Sequence, residues 1–66
     1  MKLILNGDCR DISGVTTLPE LVDALGLPAS ALLIEHNGLA LLRNEWTGRP
    51  LAEGDRLEFL RITAGG

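Results

Sequence analysis

The sequence predicts an α+β fold in which one main helix packs on one mixed sheet of four or five strands. Two Asn-Gly dipeptides, at 6–7 and 37–38, each separate short apolar runs, as expected for β-hairpins. A single amphipathic helical pattern lies between the two hairpins. Near the C-terminal end, apolar residues alternate as expected for a last strand. Apolar residues make up 45% of the 66 residues, which is typical of a folded domain.

The first hairpin is predicted to pair a strand from Lys2 to Leu5 with a return strand from Cys9 to Ser13. The turn between them is Asn6-Gly7-Asp8, because Asn and Gly tolerate the positive φ of a type I′ turn. Side chains alternate across a strand, so Ile4 is expected on the outer face of the sheet. Arg10 is expected at the inner rim, with its head group reaching water.

A capping-box pattern predicts the helix start. Thr17 stands at the N-cap position and Glu20 follows three residues later, where its carboxylate can return to the cap. Gly26 supplies a left-handed residue at the helix end. The apolar stripe of this short helix has i, i+3, i+4, i+7 spacing and comprises Leu18, Leu21, Val22 and Leu25.

The second hairpin joins predicted strands from Ala31 to Glu35 and from Leu39 to Leu42. A single helical turn is expected from Arg43 to Trp46, and the last strand runs from Arg56 to Thr63. This order of strands around one helix is that of the β-grasp fold. By analogy with that fold, the first and last strands lie side by side and parallel in the centre of the sheet.

The end of the chain is the candidate functional element. We predict a β-grasp domain over 1–63 and a flexible tail over 64–66 that includes Gly65 and Gly66. Glycine has no Cβ, so such a tail can enter a slot that any side chain would block. An α-carboxylate has an ordinary pKa of about 3.3–3.7 and is ionised at neutral pH. These properties indicate a terminus that is inserted into the active site of another protein.

An apolar docking surface is predicted beside the tail. If Glu58 faces water, alternation along the last strand places Leu60 and Ile62 on the same outer face. We expect Ile4, from the neighbouring strand, to extend this surface. The residues expected to contact partners are Ile4, Leu60, Ile62, Thr63 and Ala64.

Composition excludes several function classes. A net charge of −3 argues against a nucleic-acid partner, which would require a basic face. One cysteine permits neither an internal disulfide nor a cysteine-based metal cluster. No signal peptide or membrane span is visible, so we expect a cytoplasmic protein. We also expect a free monomer that binds larger partners transiently. A core this small leaves little room for a substrate cavity, which disfavours a self-contained enzyme.

Cys9 and His36 could suggest a nucleophile and its base. They lie on different predicted hairpins, whereas a catalytic pair needs hydrogen-bond contact. We therefore expect Cys9 to be a small strand residue and His36 to be solvated beside its turn. We expect no metal site.

The ordered motifs resemble a known family over essentially the whole chain. The chain is similar to the sulfur carrier proteins of thiamine biosynthesis, the ThiS family of ubiquitin-like β-grasp proteins. The motifs that carry the resemblance are Leu3-Ile4-Leu5-Asn6-Gly7, Leu18-Pro19-Glu20-Leu21, Ile34-Glu35-His36-Asn37-Gly38, Arg43-Asn44-Glu45-Trp46, Glu53-Gly54-Asp55 and Ile62-Thr63-Ala64-Gly65-Gly66.

The resemblance implies a carrier that is a substrate of other enzymes. A ThiF-like adenylyltransferase would use ATP and Mg²⁺ to adenylate the carboxylate of Gly66, with Gly65 allowing the tail to thread. Sulfur from a cysteine desulfurase or another persulfide donor would convert the adenylate to a thiocarboxylate. A thiazole synthase would then take the sulfur. On this account the chain itself binds no cofactor and is not an enzyme.

Three alternatives stay open at this point. The small subunit of molybdopterin synthase has the same fold and chemistry, but its chains tend to be longer and to carry Pro-Pro before the final glycines. Here that position reads Arg61-Ile62-Thr63-Ala64, which favours the thiazole pathway. A ubiquitin-like protein modifier would share the activation step and differ in the acceptor. A non-covalent binding module would leave the two glycines without a role.

Overall fold

The computed structural model describes residues 1–62, and the predictions for Thr63 and for the tail at 64–66 lie outside them. Within residues 1–62 there are five strands, one α-helix and two 3₁₀ turns. In chain order these are β1 (Lys2–Leu5), β2 (Asp8–Asp11), α1 (Leu18–Ala24), a 3₁₀ turn (Ala29–Ala31), β3 (Leu32–His36), β4 (Leu39–Leu41), a second 3₁₀ turn (Arg43–Glu45) and β5 (Arg56–Arg61).

The strands form one mixed sheet in the order β2-β1-β5-β3-β4. The two hairpins are antiparallel, and β5 lies between them, parallel to β1 and antiparallel to β3. The predicted β-grasp arrangement, with the first and last strands parallel in the centre, is therefore confirmed.

Both Asn-Gly turns have the predicted geometry. Asn6 and Gly7 have φ of 49° and 84°, and Asn37 and Gly38 have φ of 52° and 86°. Positive φ at both central residues is the type I′ turn, whose twist matches that of the flanking strands. The pairing of Leu5 with Asp8 closes the first loop at two residues and starts β2 one residue earlier than predicted.

The capping box at the start of α1 is present. The Thr17 hydroxyl accepts from the Glu20 N–H at 3.4 Å, and Oε1 of Glu20 accepts from the Thr17 N–H at 3.1 Å. The same oxygen also accepts from the backbone N–H of Thr16 at 2.7 Å and from its hydroxyl at 2.9 Å. These bonds, led by that from the Thr16 N–H, hold the pKa of Glu20 below its ordinary value of 4.5.

The core lies between α1 and the inner face of the sheet. Its centre consists of aliphatic side chains that are almost fully buried: Leu3, Leu18, Leu21, Ile34 and Leu57. Trp46, which follows the second 3₁₀ turn, is also buried in this cluster. Because one short helix covers a five-stranded sheet, the inner face beyond the C-terminal end of α1 is only partly covered.

The capping box yields a stability prediction. Thr17→Ala removes the acceptor for the Glu20 N–H, and we expect it to lower the free energy of unfolding by about 1 kcal/mol. Urea denaturation followed by circular dichroism would then show a midpoint lower by about 1 M. Thr47→Ala, at an exposed threonine outside the helix, is the control. Equal midpoints for the two variants would contradict a stabilising role for the cap.

Candidate functional site

The candidate site is the C-terminal end of β5, the strand that leads to the tail. β5 is held on both sides, by β1 and by β3. One residue beyond the strand, the Ile62 N–H donates to the Ala31 carbonyl at 2.7 Å. The sheet therefore fixes the point from which the chain continues to residue 63.

Four exposed aliphatic side chains surround this point on the outer face of the sheet. Leu60 lies directly opposite Leu33 of β3, and Ile62 follows Leu60 on the same face. Leu42 comes one residue after the Ile34–Leu41 pair and so lies beside Leu33. We call Leu33, Leu42, Leu60 and Ile62 the aliphatic row, and they are 39% to 70% exposed.

The structure places the predicted partner-binding residues in different locations. Leu60 and Ile62 lie in the aliphatic row, whereas Ile4 pairs with Arg56, four residues before Leu60 along β5. At about 3.3 Å per residue, that separation is about 13 Å, so Ile4 does not adjoin the row. The other predicted site residues, Thr63, Ala64, Gly65 and Gly66, lie outside the described residues.

Two carboxylates border the aliphatic row. Glu35 and Glu58 lie directly opposite each other, two residues along each strand from the Leu33–Leu60 pair and on the same face of the sheet. Within residues 1–62 neither carboxylate lies within 4.0 Å of a lysine, arginine or histidine nitrogen. Like charges that face each other across a sheet destabilise it. A basic side chain of a partner would relieve this repulsion.

The prediction that His36 is solvated is wrong. The side chain faces the core from the end of β3 and is only 7% exposed. Its Nε2 lies 2.7 Å from Oδ2 of Asp55, and its Nδ1 accepts from Nε of Arg49 at 2.8 Å. Since a guanidinium can only donate, Nδ1 must carry a lone pair and Nε2 the proton. The ring thus links β3 to the segment before β5. Alternation around Ile34 places His36 on the inner face and could have revealed its burial.

Asp55 is the acceptor at the centre of this network. Its carboxylate also accepts from Nδ2 of Asn37 at 3.1 Å and from the Ala52 N–H at 2.9 Å. Burial by itself raises the pKa of this carboxyl. The bonds from His36, Asn37 and Ala52 outweigh burial and hold the pKa below its ordinary value of 3.8.

Cys9 and His36 do not form a catalytic pair. Cys9 is exposed on β2, and two strands, β1 and β5, separate it from β3 and His36. Among residues 1–62, no three His, Cys, Asp or Glu side chains are grouped as a metal site would require.

The fold and the position of β5 define the chain as a ubiquitin-like β-grasp domain whose central strand leads to a Gly-Gly segment. The model of the ThiS family matches residues 3–66, a region that includes Gly65 and Gly66. The chain therefore belongs to the ThiS family.

Solved structures and a curated relative agree with this assignment. The crystal structure of the thiamine biosynthesis protein (ThiS) from Geobacter metallireducens is 32% identical, covers all of both chains and superposes with a TM-score of 0.86. An NMR structure of a thiamine biosynthesis protein from that organism, also 32% identical, covers all of this chain and 88% of the other, with a TM-score of 0.81.

A thiazole synthase of Paramagnetospirillum magneticum is 29% identical over 66 residues. The match covers all of this chain and 20% of the synthase, so the chain spans one fifth of the length of that relative. In residues 1–62, no helix has the length and apolar character needed to cross a membrane.

The Asp55 network yields a prediction about pH. A carboxyl whose pKa is lower in the folded than in the unfolded protein stabilises the fold above pH 3.8, and this stabilisation is lost as pH falls through the folded pKa. We expect Asp55→Asn to be less stable than the wild type at neutral pH, and the difference to shrink on acidification. Urea denaturation between about pH 7 and pH 3 measures both free energies of unfolding.

The control for this prediction is Asp23→Asn, which removes the same charge from an exposed position on α1. A difference between wild type and Asp55→Asn that stayed constant over the whole pH range would contradict the role given to the carboxylate.

Proposed function

We propose that this protein carries sulfur as a thiocarboxylate on Gly66 and donates it for thiazole formation in thiamine biosynthesis. The observation that supports the proposal is the ThiS family match, which covers residues 3–66 and so includes the two glycines that follow the central strand in the sequence. The same match favours the thiazole pathway over the molybdopterin alternative.

The proposed activation converts the Gly66 carboxylate, which is a poor acyl donor, into an acyl-adenylate, which is a good one. An oxygen of the Gly66 carboxylate attacks the α-phosphorus of ATP, and pyrophosphate leaves. The terminal sulfur of a persulfide then attacks the carbonyl carbon of the acyl-adenylate and displaces AMP. A thiol cleaves the resulting sulfur–sulfur bond by exchange, forms a disulfide and leaves the thiocarboxylate on Gly66.

In this proposal the partners supply the catalytic groups. ATP and Mg²⁺ are bound by a ThiF-like adenylyltransferase, and a cysteine desulfurase or another donor supplies the persulfide. The chain supplies a tail without Cβ atoms at Gly65 and Gly66, which lets the partner enclose the reacting carbonyl closely.

The aliphatic row is the proposed docking surface for the adenylyltransferase. Its exposed leucines adjoin the point where the tail begins, and apolar surfaces of this kind mark protein-binding sites. The facing pair Glu35 and Glu58 favours a partner surface that adds a basic side chain to its apolar centre.

The thiazole synthase is the proposed sulfur acceptor. In its favour, a protein named thiazole synthase contains a region similar to this whole chain within its own sequence. Two functions that occur in one polypeptide in one organism commonly act together as separate proteins in another.

The thiocarboxylate proposal predicts a defined mass change. Incubation with ATP, Mg²⁺, cysteine, the desulfurase and the adenylyltransferase should raise the intact mass by the difference between one sulfur and one oxygen. Deletion of Gly66 should abolish the change, and Gly66→Ala should slow it while leaving the circular dichroism spectrum unaltered. An unchanged mass of the wild-type protein, or a shift only by attachment to lysines of other proteins, would overturn the proposal.

The docking surface predicts a contrast between two exposed leucines. Leu60→Glu places a charge within the aliphatic row and should weaken binding to the adenylyltransferase at least tenfold, a loss of about 1.4 kcal/mol, measured by isothermal titration calorimetry. Leu39→Glu is the matched control, because Leu39 is also exposed but lies outside the row, at the β3–β4 turn. Equal weakening by both substitutions would exclude the row as the contact.

A further inference from the structure

A second surface lies at the same end of β5, on the inner face of the sheet. Because α1 ends at Ala24, it leaves a groove of about 330 Å³ beyond its C-terminal end. The apolar floor of this groove is formed by half-buried or buried side chains from the helix end, β3 and β5: Leu25, Leu27, Leu32 and Phe59.

Two arginines line this groove. Arg10 comes from β2 and Arg61 from β5, the strands on either side of β1. Both are exposed, and within residues 1–62 neither guanidinium lies within 4.0 Å of a carboxylate. Asp8 also lines the groove but forms no ion pair with them in this part of the chain.

The positive charge of the two arginines contrasts with the negative net charge of the chain. The chain has a net charge of −3, and the aliphatic row on the outer face is bordered by Glu35 and Glu58. Yet two of the six basic residues line one apolar groove. Guanidinium groups bind carboxylates through paired hydrogen bonds, so this combination fits an acidic segment that also has an apolar side chain.

We propose that this groove, called the arginine groove, binds an acidic segment of the activating adenylyltransferase. An apolar side chain of that segment packs on Phe59 and Leu27, and its carboxylates pair with Arg10 and Arg61. That the partner is the adenylyltransferase rests on the proposed function. That the bound segment is acidic with an apolar side chain rests on the residues that line the groove. Arg61 directly precedes Ile62, so the groove and the aliphatic row lie on opposite faces of the sheet at the C-terminal end of β5.

Distance disfavours the phosphates of ATP as the anion in the groove. The reacting carboxylate of Gly66 is five residues beyond Arg61, and five extended residues span up to about 17 Å. A tail threaded into an active site is extended, which keeps Arg61 away from the α-phosphate. The anion beside Arg61 is therefore expected to belong to the mouth of the partner's site.

Binding of the full chain to the purified adenylyltransferase tests the inference. The dissociation constant is measured by isothermal titration calorimetry at low and at high salt, first without ATP and then with ATP present. We expect the double variant R10Q/R61Q to bind about tenfold more weakly at low salt, and the difference to shrink at high salt because screening weakens exposed charge pairs. R10K/R61K keeps both charges and should recover part of the affinity, since lysine cannot form the paired bonds.

The matched control is K2Q/R56Q, which removes the same charge from the outer face of the sheet. It should change the dissociation constant less than twofold. If the two double variants weaken binding to the adenylyltransferase equally, the effect comes from general attraction between the net charges of the two proteins. That result would overturn the inference. An effect of R10Q/R61Q that appears only when ATP is present would assign the groove to phosphate and would also overturn it.

The failure of this inference is distinguishable from failure of the proposed function. If wild-type protein binds the enzyme and gains sulfur while R10Q/R61Q binds equally well, the arginine groove has no such role and the carrier function stands. If wild-type protein neither binds nor gains sulfur, both fail. Amide ¹H–¹⁵N spectra of each variant establish that its fold is unchanged.

Discussion

The pairing of β5 between β1 and β3 is the constraint on which the other features depend. On one side, the Ile4 N–H donates to the Asp55 carbonyl and the Asn6 N–H to the Leu57 carbonyl, each at 2.9 Å. On the other side, five residue pairs join β5 to β3. Because side chains alternate along a strand, this register places Leu57 in the core and Leu60 in the aliphatic row. A shift by one residue would exchange the two faces and remove both proposed surfaces.

The two Asn-Gly turns also hold this strand in place. Oδ1 of Asn6 accepts from the Phe59 N–H at 2.7 Å, and Oδ1 of Asn37 accepts from the Arg56 N–H at 2.8 Å. Each asparagine therefore shapes its own hairpin and binds β5, which is more than fifty residues away from Asn6 in the sequence. In a domain of this size, where burial alone gives a small margin of stability, such bonds matter. They make each hairpin part of the support for the functional strand.

Local signals predicted the elements well, whereas contacts between elements were harder to predict. The capping box at Thr17 and both type I′ turns depend on neighbouring residues and were confirmed. The separation of Ile4 from Leu60 depends on the register of β1 against β5, and the addition of Leu42 to the row depends on the pairing of β3 with β4. Neither register can be read from one strand alone. His36 was missed because a histidine beside a turn is usually solvated, and its partners, Asp55 and Arg49, are distant in sequence.

A carrier of this design has to control orientation as well as affinity. If a partner held only the tail, Gly65 and Gly66 would permit many rotations of the domain about it, since glycine restricts the backbone least. Two surfaces of different character on opposite faces of the same strand remove that freedom. The aliphatic row is apolar and bordered by carboxylates, whereas the arginine groove is apolar and lined by guanidinium groups. Rotation by half a turn would bring like charges together, which costs free energy and disfavours the wrong orientation. The carboxylates beside the aliphatic row and the guanidinium groups of the arginine groove would thus select the one orientation in which the tail and both surfaces are engaged.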